Sequence, residues 1–479
     1  MSGFFEKLKS KKTVRAGIAY TIGGYLLKGL GFITVPIFTR ILSTSDFGMY
    51  NTFLSYEAIL YLFISYALHV SVKNARYDFG MEKLDSYLSN ISLLPLFTMG
   101  VCLVAVNLFS KPLEAVLGLN RLSLNLLVIY SYCTGLIILY QNRLVLEYQY
   151  KQYLFITYFN ALVNIALSLV LIHFVFAANK YMGRIIGTVI PAVIVSAVIL
   201  YSLYKKNKPR VNSAHLKYAL KLGVPIIPHG LGQILLSSFD RVMITNMVGA
   251  DKSGIYSFSY TIFTMLQVAS TALFSVFEPW AYERLKDNKI SALKKVSGLL
   301  FAFLCLISIA VIVVSPEAIV LLGSEKYAEA IYTTIPVIVG GLFSLAYGIP
   351  TIIEYYHKKT ILISVGTIGA AAINVVLNFI FIPRFGYVAA AYTTLVSYGL
   401  YFIFHSIISY RIAGFMILPG YVLAAGFGGV FLCATMSLAT LNAPVVRYAV
   451  LLVIGLIGAW ICYRKRSIIV SILKKQELE

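Results

Sequence analysis

Charge is what this chain has least of. Only 12% of its 479 residues are Asp, Glu, Lys or Arg, about half the share of a soluble globule. With 59% of the residues apolar, a water-soluble enzyme is excluded and a bilayer protein is expected. Acidic residues are scarcest, 19 against 40 basic ones. The resulting net charge of +21 does not point to nucleic acid, because the basic residues lie between hydrophobic runs instead of gathering on one water-facing surface. The five cysteines, Cys102, Cys133, Cys305, Cys433 and Cys462, are scattered through apolar segments without pairing pattern or metal spacing and read as packing residues. His173, His229 and His405 also lack the spacing of a metal site. The sequence has no phosphate-binding Gly-Lys-Ser/Thr loop and no Gly-x-Ser-x-Gly elbow, which argues against nucleotide or serine-hydrolase chemistry. The basic amino terminus enters a long apolar run without a small-residue cleavage pattern, so it is expected to be retained.

What is present is a series of segments near the 20 or so apolar residues a helix needs to cross a bilayer. Fourteen qualify, with cores at 17–39, 50–70, 87–109, 123–142, 154–176, 182–203, 219–248, 254–280, 296–315, 330–350, 360–382, 386–410, 419–440 and 446–463. The closely spaced pair after residue 360 is split by Pro383-Arg384-Phe385-Gly386, a helix-punctuating run. With both termini in the cytoplasm, alternate connections carry 28 Lys and Arg on the cytoplasmic side and nine on the other, Arg184 among the nine. This is the asymmetry of short cytoplasmic loops. The chain is therefore read as an all-α integral membrane protein of about 14 transmembrane helices. Its expected parts are a basic cytoplasmic N-terminus (1–16), an N-lobe of six helices (17–203), a cytoplasmic linker (204–218), a C-lobe of six helices (219–410), two extra helices (411–463) and a cytoplasmic tail (464–479).

The lobes repeat one plan. Arg40 to Tyr50 contains Asp46-Phe47-Gly48-Met49-Tyr50, and 206 residues later the chain reads Gly254-Ile255-Tyr256 after an equally short acidic turn. A fainter echo, which needs a gap to align, links Asn164-Ile-Ala-Leu-Ser-Leu-Val170 with Asn374-Val-Val-Leu-Asn-Phe-Ile380. Six spans return the chain to its starting side, so the repeats run parallel and a pseudo-two-fold axis along the membrane normal relates them. Polar residues also recur at helical spacing inside spans. Thr21, Gly24, Lys28 and Gly31 share one face of the first, with Lys28 roughly 16 Å from either end at 1.5 Å per residue. A cation there either lines a wet cavity and attracts an anion or pairs with a carboxylate to lock helices. Span seven carries Gly230, Gln233, Ser237 and Arg241, with Asp240 adjacent and Pro225 and Pro228 breaking its first turns. Tyr260, Thr264, Gln267, Thr271, Ser275 and Glu278 stripe span eight. Glu57, Tyr61, Ser65 and His69 do the same on span two, and Ser344, Tyr347, Thr351 and Glu354 on span ten. Such stripes build either a hydrophilic lumen or contacts between helices; several of them in both lobes favour a lumen. Arg40 reads either as an interfacial anchor or as part of it.

The run Pro36-Ile37-Phe38-Thr39-Arg40 through Tyr50 resembles the first-helix signature of bacterial polysaccharide and O-antigen repeat-unit flippases of the Wzx type, in the polysaccharide transport branch of the multidrug/oligosaccharidyl-lipid/polysaccharide exporter superfamily. Ser238-Phe239-Asp240-Arg241 and Phe277-Glu278-Pro279-Trp280 are similar to that family's seventh and eighth helices. The resemblance implies a flippase, not an enzyme. It implies that undecaprenyl-diphosphate-linked oligosaccharide repeat units move from the cytoplasmic to the periplasmic leaflet of the bacterial inner membrane by alternating access, for O-antigen or capsule. Lys28, Arg241 and Arg40 would then serve the diphosphate, and Gln233, Tyr260 and Gln267 the sugars. Glu57, Asp240, Glu278 and Glu354 would be available for gating or for proton or sodium coupling, with no metal or other cofactor. A polysaccharide polymerase and a chain-length regulator are the expected protein partners. Lipid II flippases usually place several arginines on the first helix, where this chain has Lys28 alone before Arg40. Multidrug exporters often carry acids in one lobe, and this first span has none. A membrane polymerase or ligase is the alternative from another class, but the outer loops are too short for a separate catalytic platform.

Overall fold

In the computed structural model, which describes the backbone of residues 2–464 and the side chains of Arg15 to Val453 and a few beyond, every regular element among the described residues is a helix. The expected spans correspond to α1 (Ser2–Ile41), α2 (Thr44–Ser65), α3 (Met81–Leu108), α4 (Arg121–Leu146), α5 (Tyr150–Phe174), α6 (Lys180–Lys206), α7 (Ser213–Met247), α8 (Ala250–Lys286), α9 (Ile290–Gly323), α10 (Glu325–Tyr356), α11 (Thr360–Phe385), α12 (Val388–Ala413), α13 (Gly420–Ala439) and α14 (Pro444–Arg464). Twelve of these are long and apolar enough to cross a bilayer alone, and α2 with its bent continuation Leu68–Asp78 makes a thirteenth. The chain is a multi-pass membrane protein. α14 is apolar over Pro444–Val453, and the expected tail from residue 465 lies outside the described residues.

The repeat is written in the helix boundaries. At an offset of 206 residues, α1 and α7 end at Ile41 and Met247, and α2 and α8 begin at Thr44 and Ala250. Further along the offset is 210: Leu146 and Tyr356 close α4 and α10, and Tyr150 and Thr360 open α5 and α11. The four-residue difference is about one helical turn, which leaves the faces in register.

Gly48 and Gly254 explain why both turns carry glycine. A Cβ at Gly48 would lie 1.8 Å from the Ala250 carbonyl oxygen, and one at Gly254 would lie 1.9 Å from that of Thr44. The contacts are reciprocal, as at an isologous interface, and only bare backbone fits. Ser43 and Asp46 form a capping box at the start of α2, satisfying two orphan N–H groups. Asp46 also accepts the Tyr181 N–H at 3.1 Å, and Lys180 donates to the Ile41 carbonyl at 3.0 Å, so one turn ties α1, α2 and α6 together.

The chain forms two compact units, Met1–Gly254 and Ile255–Glu479. In the first, Leu84, Tyr87, Leu88, Ile91 and Leu144 are fully buried in one apolar core shared by α2, α3, α4, α6 and α7, and Gly183 and Gly187 let α6 lie directly on α5. Pro225 opens a 3-10 turn, Val224–Ile226, that interrupts α7. This break meets another: α2 stops at Tyr66 and Ala67, both with φ near +50°, and the chain turns by 62°. Gly223 rests on that corner, where a Cβ would come within 2.4 Å of the Tyr66 carbonyl. In the second unit α10 is the central helix, flanked by α9 and α12, and α13 packs on α9, where Phe427 meets Phe301 edge-on at 5.0 Å between centroids, and on α10, where Phe427 stacks on Phe343 at 4.1 Å. Pro383 lies inside α11, and the turn falls on Gly386 at φ 73°.

Candidate functional site

The polar stripes divide into open and closed ones. On α8, Thr264, Gln267, Thr271, Ser275 and Glu278 are exposed and Tyr260 is half-exposed, while Phe263, Leu266, Phe277 and Trp280 on the other side are buried. The Thr264 and Thr271 hydroxyls donate to carbonyls of their own helix, four residues back. The stripe thus needs no partner helix, and an open polar face along a bilayer-length helix calls for water. Tyr260 sits at its head, its hydroxyl 3.4 Å from that of Tyr256.

α1 is open as well. It touches α5 through Gly23, whose carbonyl accepts the Tyr158 hydroxyl at 2.9 Å, and through an edge-on pair of Tyr20 with Tyr153. Thr21, Gly24, Lys28 and Gly31 remain exposed, with nothing within 4 Å of where a Cβ at Gly24 or Gly31 would sit. The Lys28 ammonium lies 5.9 Å from the Tyr25 ring centroid, a weak contact that leaves most of its donors available. Arg40 is exposed and donates to the Pro36 carbonyl at 3.2 Å. On α7, Gln233 is exposed, Arg241 half-buried and Asp240 buried. Ser253 donates to the Arg241 carbonyl at 3.1 Å, and the Thr52 and Thr245 hydroxyls share a 2.6 Å hydrogen bond.

The stripes on α2 and α10 are closed. Glu57 is buried, with Oε1 lacking a hydrogen-bond partner among the described residues; Ser65 packs on Gly135 of α4. On α10, Glu354 is fully buried and its Oε1 lies 2.7 Å from Nδ1 of His405 on α12, also fully buried. Tyr347 and Tyr401 enclose the imidazole, with centroids 5.8 and 4.6 Å away. From α11, Gly366 approaches so closely that a Cβ would stand 2.7 Å from His405 Nε2. Among the described residues the second carboxylate oxygen and Nε2 have no hydrogen-bond partner. A buried acid with a histidine can hold or pass one proton.

Sequence reasoning missed one cation. Arg184, counted among the loop residues, lies in the second turn of α6 and turns inward. Its guanidinium packs over the rings of Phe38 and Tyr50, 3.9 and 4.8 Å from their centroids, donates to Ser168 Oγ at 2.8 Å and also to Asn164 Oδ1. The 210-residue offset carries Asn164, Ser168 and Arg184 onto Asn374, Asn378 and Thr394. Those residues also meet: Asn374 donates to Thr394 at 3.0 Å, and Asn378 to Asn374 at 3.2 Å. The echo of Asn164 and Asn374 was the signal that pointed here. Among the described residues no group of three His, Cys, Asp or Glu could hold a metal ion.

Comparison with known proteins agrees with this architecture. The family model described as polysaccharide biosynthesis protein matches residues 14–283. A protein of the Lsg locus of Haemophilus influenzae is 22% identical over 373 residues, covering 74% of this chain and 87% of its own. The lipid II flippase MurJ in an inward closed conformation superposes with a TM-score of 0.70 at 14% identity, over 94% of this chain and 99% of its own. An inward-facing multidrug transporter of the MATE family gives 0.61 at 14% identity, over 83% and 98%. The fold is therefore one shared by flippases and exporters.

Proposed function

Because the chain belongs to the polysaccharide biosynthesis protein family, we propose that it is a flippase moving undecaprenyl-diphosphate-linked oligosaccharide repeat units from the cytoplasmic to the periplasmic leaflet of the bacterial inner membrane. The observation that carries this reading is the open stripe of α8, five exposed polar side chains below Tyr260, together with the exposed Lys28 of α1. A sugar chain needs many exchangeable hydrogen-bond partners, and hydroxyls, amides and water supply them. A diphosphate needs cations, and Lys28, Arg40 and Arg241 are the candidates. The polyprenyl tail stays in the bilayer, so the protein need only shelter the polar head. Both termini are cytoplasmic in this reading. The repeated helical plan fits rocking between two access states, and O-antigen or capsule synthesis is the setting, with a polymerase and a chain-length regulator downstream.

Proton or sodium coupling falls to the acids: Glu57 and Asp240, both buried, Glu278 at the foot of the α8 stripe, and Glu354 beside His405. The closed geometry of the last pair favours a proton there, since a single proton satisfies both groups. The deciding experiment is leaflet-resolved transport of a labelled polyprenyl-diphosphate oligosaccharide in proteoliposomes of the purified protein. Protein-dependent movement supports the proposal. Joining or trimming of sugars without movement would establish the polymerase or ligase reading, and movement of lipid II or of organic cations in place of the oligosaccharide would assign another exporter type.

A further inference from the structure

Where α9 and α13 begin, the second unit holds a cavity of about 340 Å3 lined by Ser291, Lys294, Lys295, Gly298 and Leu299 of α9 and by Pro419, Tyr421 and Val422 at the head of α13. Its chemistry is one-sided. Two lysines and no carboxylate line it, and among the described residues neither lysine is ion-paired. Lys294 is held over the Phe415 ring, 5.2 Å from its centroid, which fixes its stem without neutralising its charge. Both helices also start here without a capping side chain: Lys289 and Pro419 occupy the N-cap positions, and neither gives a side-chain cap hydrogen bond. First-turn N–H groups need acceptors from outside the helix, and two positive dipole ends therefore reinforce the lysines. Deeper in, Leu299, Val422 and Pro419 are apolar, and Gly298 leaves the space open, its nearest neighbour for a Cβ being Val422 at 3.9 Å. Tyr421, 78% exposed at the rim, is the kind of residue that marks the level of lipid headgroups.

We propose that this cavity binds the headgroup of an anionic phospholipid, the phosphate between Lys294, Lys295 and the two helix starts, the glycerol and first chain carbons against Leu299 and Val422. Basic pockets between transmembrane helices are recognised sites for such headgroups. The volume lies at the lower end of small-molecule sites, about 300–1,000 Å3, which suits a phosphoglycerol group and leaves no room for an oligosaccharide diphosphate. The site is independent of the transport reading: it concerns a resident lipid of the surrounding leaflet, not the cargo.

Native mass spectrometry of the full chain, titrated with phosphatidylglycerol and in parallel with phosphatidylcholine, tests it. The wild type should retain phosphatidylglycerol preferentially. Lys294→Gln/Lys295→Gln should weaken that binding about thirtyfold, from roughly 1 kcal/mol for each lysine near a lipid phosphate, and Lys294→Arg/Lys295→Arg should restore most of it. Gly298→Leu, which fills the cavity and keeps both charges, should lose binding as well. Equal retention of the two lipids, or unchanged affinity in the Gln and Leu variants, would overturn the proposal. Displacement by inorganic phosphate alone would reassign the site to a free anion, and stronger binding of a polyprenyl diphosphate would reassign it to cargo.

Discussion

The helix pair α5 and α6 in the first unit and the pair α11 and α12 in the second have the same spacing and an opposite electrical character. At the 210-residue offset Gly183 falls on Thr393, Arg184 on Thr394 and Gly187 on Ser397. In the first pair the glycines bring the helices together, and a guanidinium is held by two rings, the Asn164 amide and the Ser168 hydroxyl. In the second, hydroxyls stand where the glycines were, and a neutral ladder of Asn374, Asn378, Thr393 and Thr394 joins the helices. One backbone plan has been filled twice, once around a cation and once without charge. The repeat governs where helices go; the side chains that distinguish the units must be read one position at a time.

The largest break in this comparison is expected at the small residues. A Cβ at Gly187 would stand 2.3 Å from Ser168 Oγ and 2.7 Å from its Cα. Part of the obstacle is backbone, so Gly187→Leu must force α5 and α6 apart. Overpacking on that scale costs about 3 kcal/mol or more, and should appear as loss of folded protein from the membrane fraction. Ser397→Ala at the matching position removes one hydroxyl that bonds its own helix at 2.7 Å and should cost about 1 kcal/mol or less.

A second contrast lies between a polar pair and its apolar counterpart. Glu354 and His405 correspond at the same offset to Leu144 and Val195, both in the apolar core of the first unit. Glu354→Leu alone leaves His405 buried opposite a hydrocarbon and should cost about 3 kcal/mol. Glu354→Leu/His405→Val copies the first unit and should regain most of that stability in a detergent melt, because a buried pair replaced whole is often neutral. If the pair serves proton coupling, the double variant should fold and yet fail to transport. A double variant as unstable as the single one would show that the two units differ in more than these side chains.

A smaller effect is expected from the cation itself. Arg184→Met takes the guanidinium from the rings of Phe38 and Tyr50 and leaves Asn164 and Ser168 without their donor, at about 1–3 kcal/mol. Thr394→Val, its counterpart, removes one neutral partner of Asn374 and should cost about 1 kcal/mol. Melting temperatures of the two variants in the same detergent check the order.

These contrasts mark how far the residues speak for themselves. The helices were legible because hydropathy reports solvent directly: all fourteen expected spans coincide with helices, and the breaks expected at Pro225 and near Gly386 are there. The open stripe of α8 was legible for the same reason. Spacing says that side chains share a face, however, and not what covers it. By periodicity the stripe of Glu57 and Ser65 looks like that of Gln267 and Thr271, yet one is packed against α4 and the other is open. His405 looked solitary because its partner is 51 residues away on another helix. Arg184 was counted with a loop because α6 begins only one turn before it, at Lys180.

Lys28 gives the smallest effect on stability and the most telling one on function. It is exposed, its ammonium lies over the ring of a neighbour one turn back, and among the described residues it forms no ion pair, so Lys28→Ala should leave the melting temperature where it was. Arg184 is the opposite case, a cation already engaged by four residues of its own unit and therefore poorly placed to attract a ligand. If Lys28 meets a diphosphate, its loss removes a charge-assisted hydrogen bond, about 1.5–3 kcal/mol, and slows transport about tenfold to a hundredfold. Surface polysaccharide should then be lost while the protein stays abundant in the membrane, and Arg241→Ala should behave alike. Normal polymer in both variants would remove these cations from the substrate path. A Lys28→Ala protein that melted early would put Lys28 in the same class as Arg184, a residue that holds helices together.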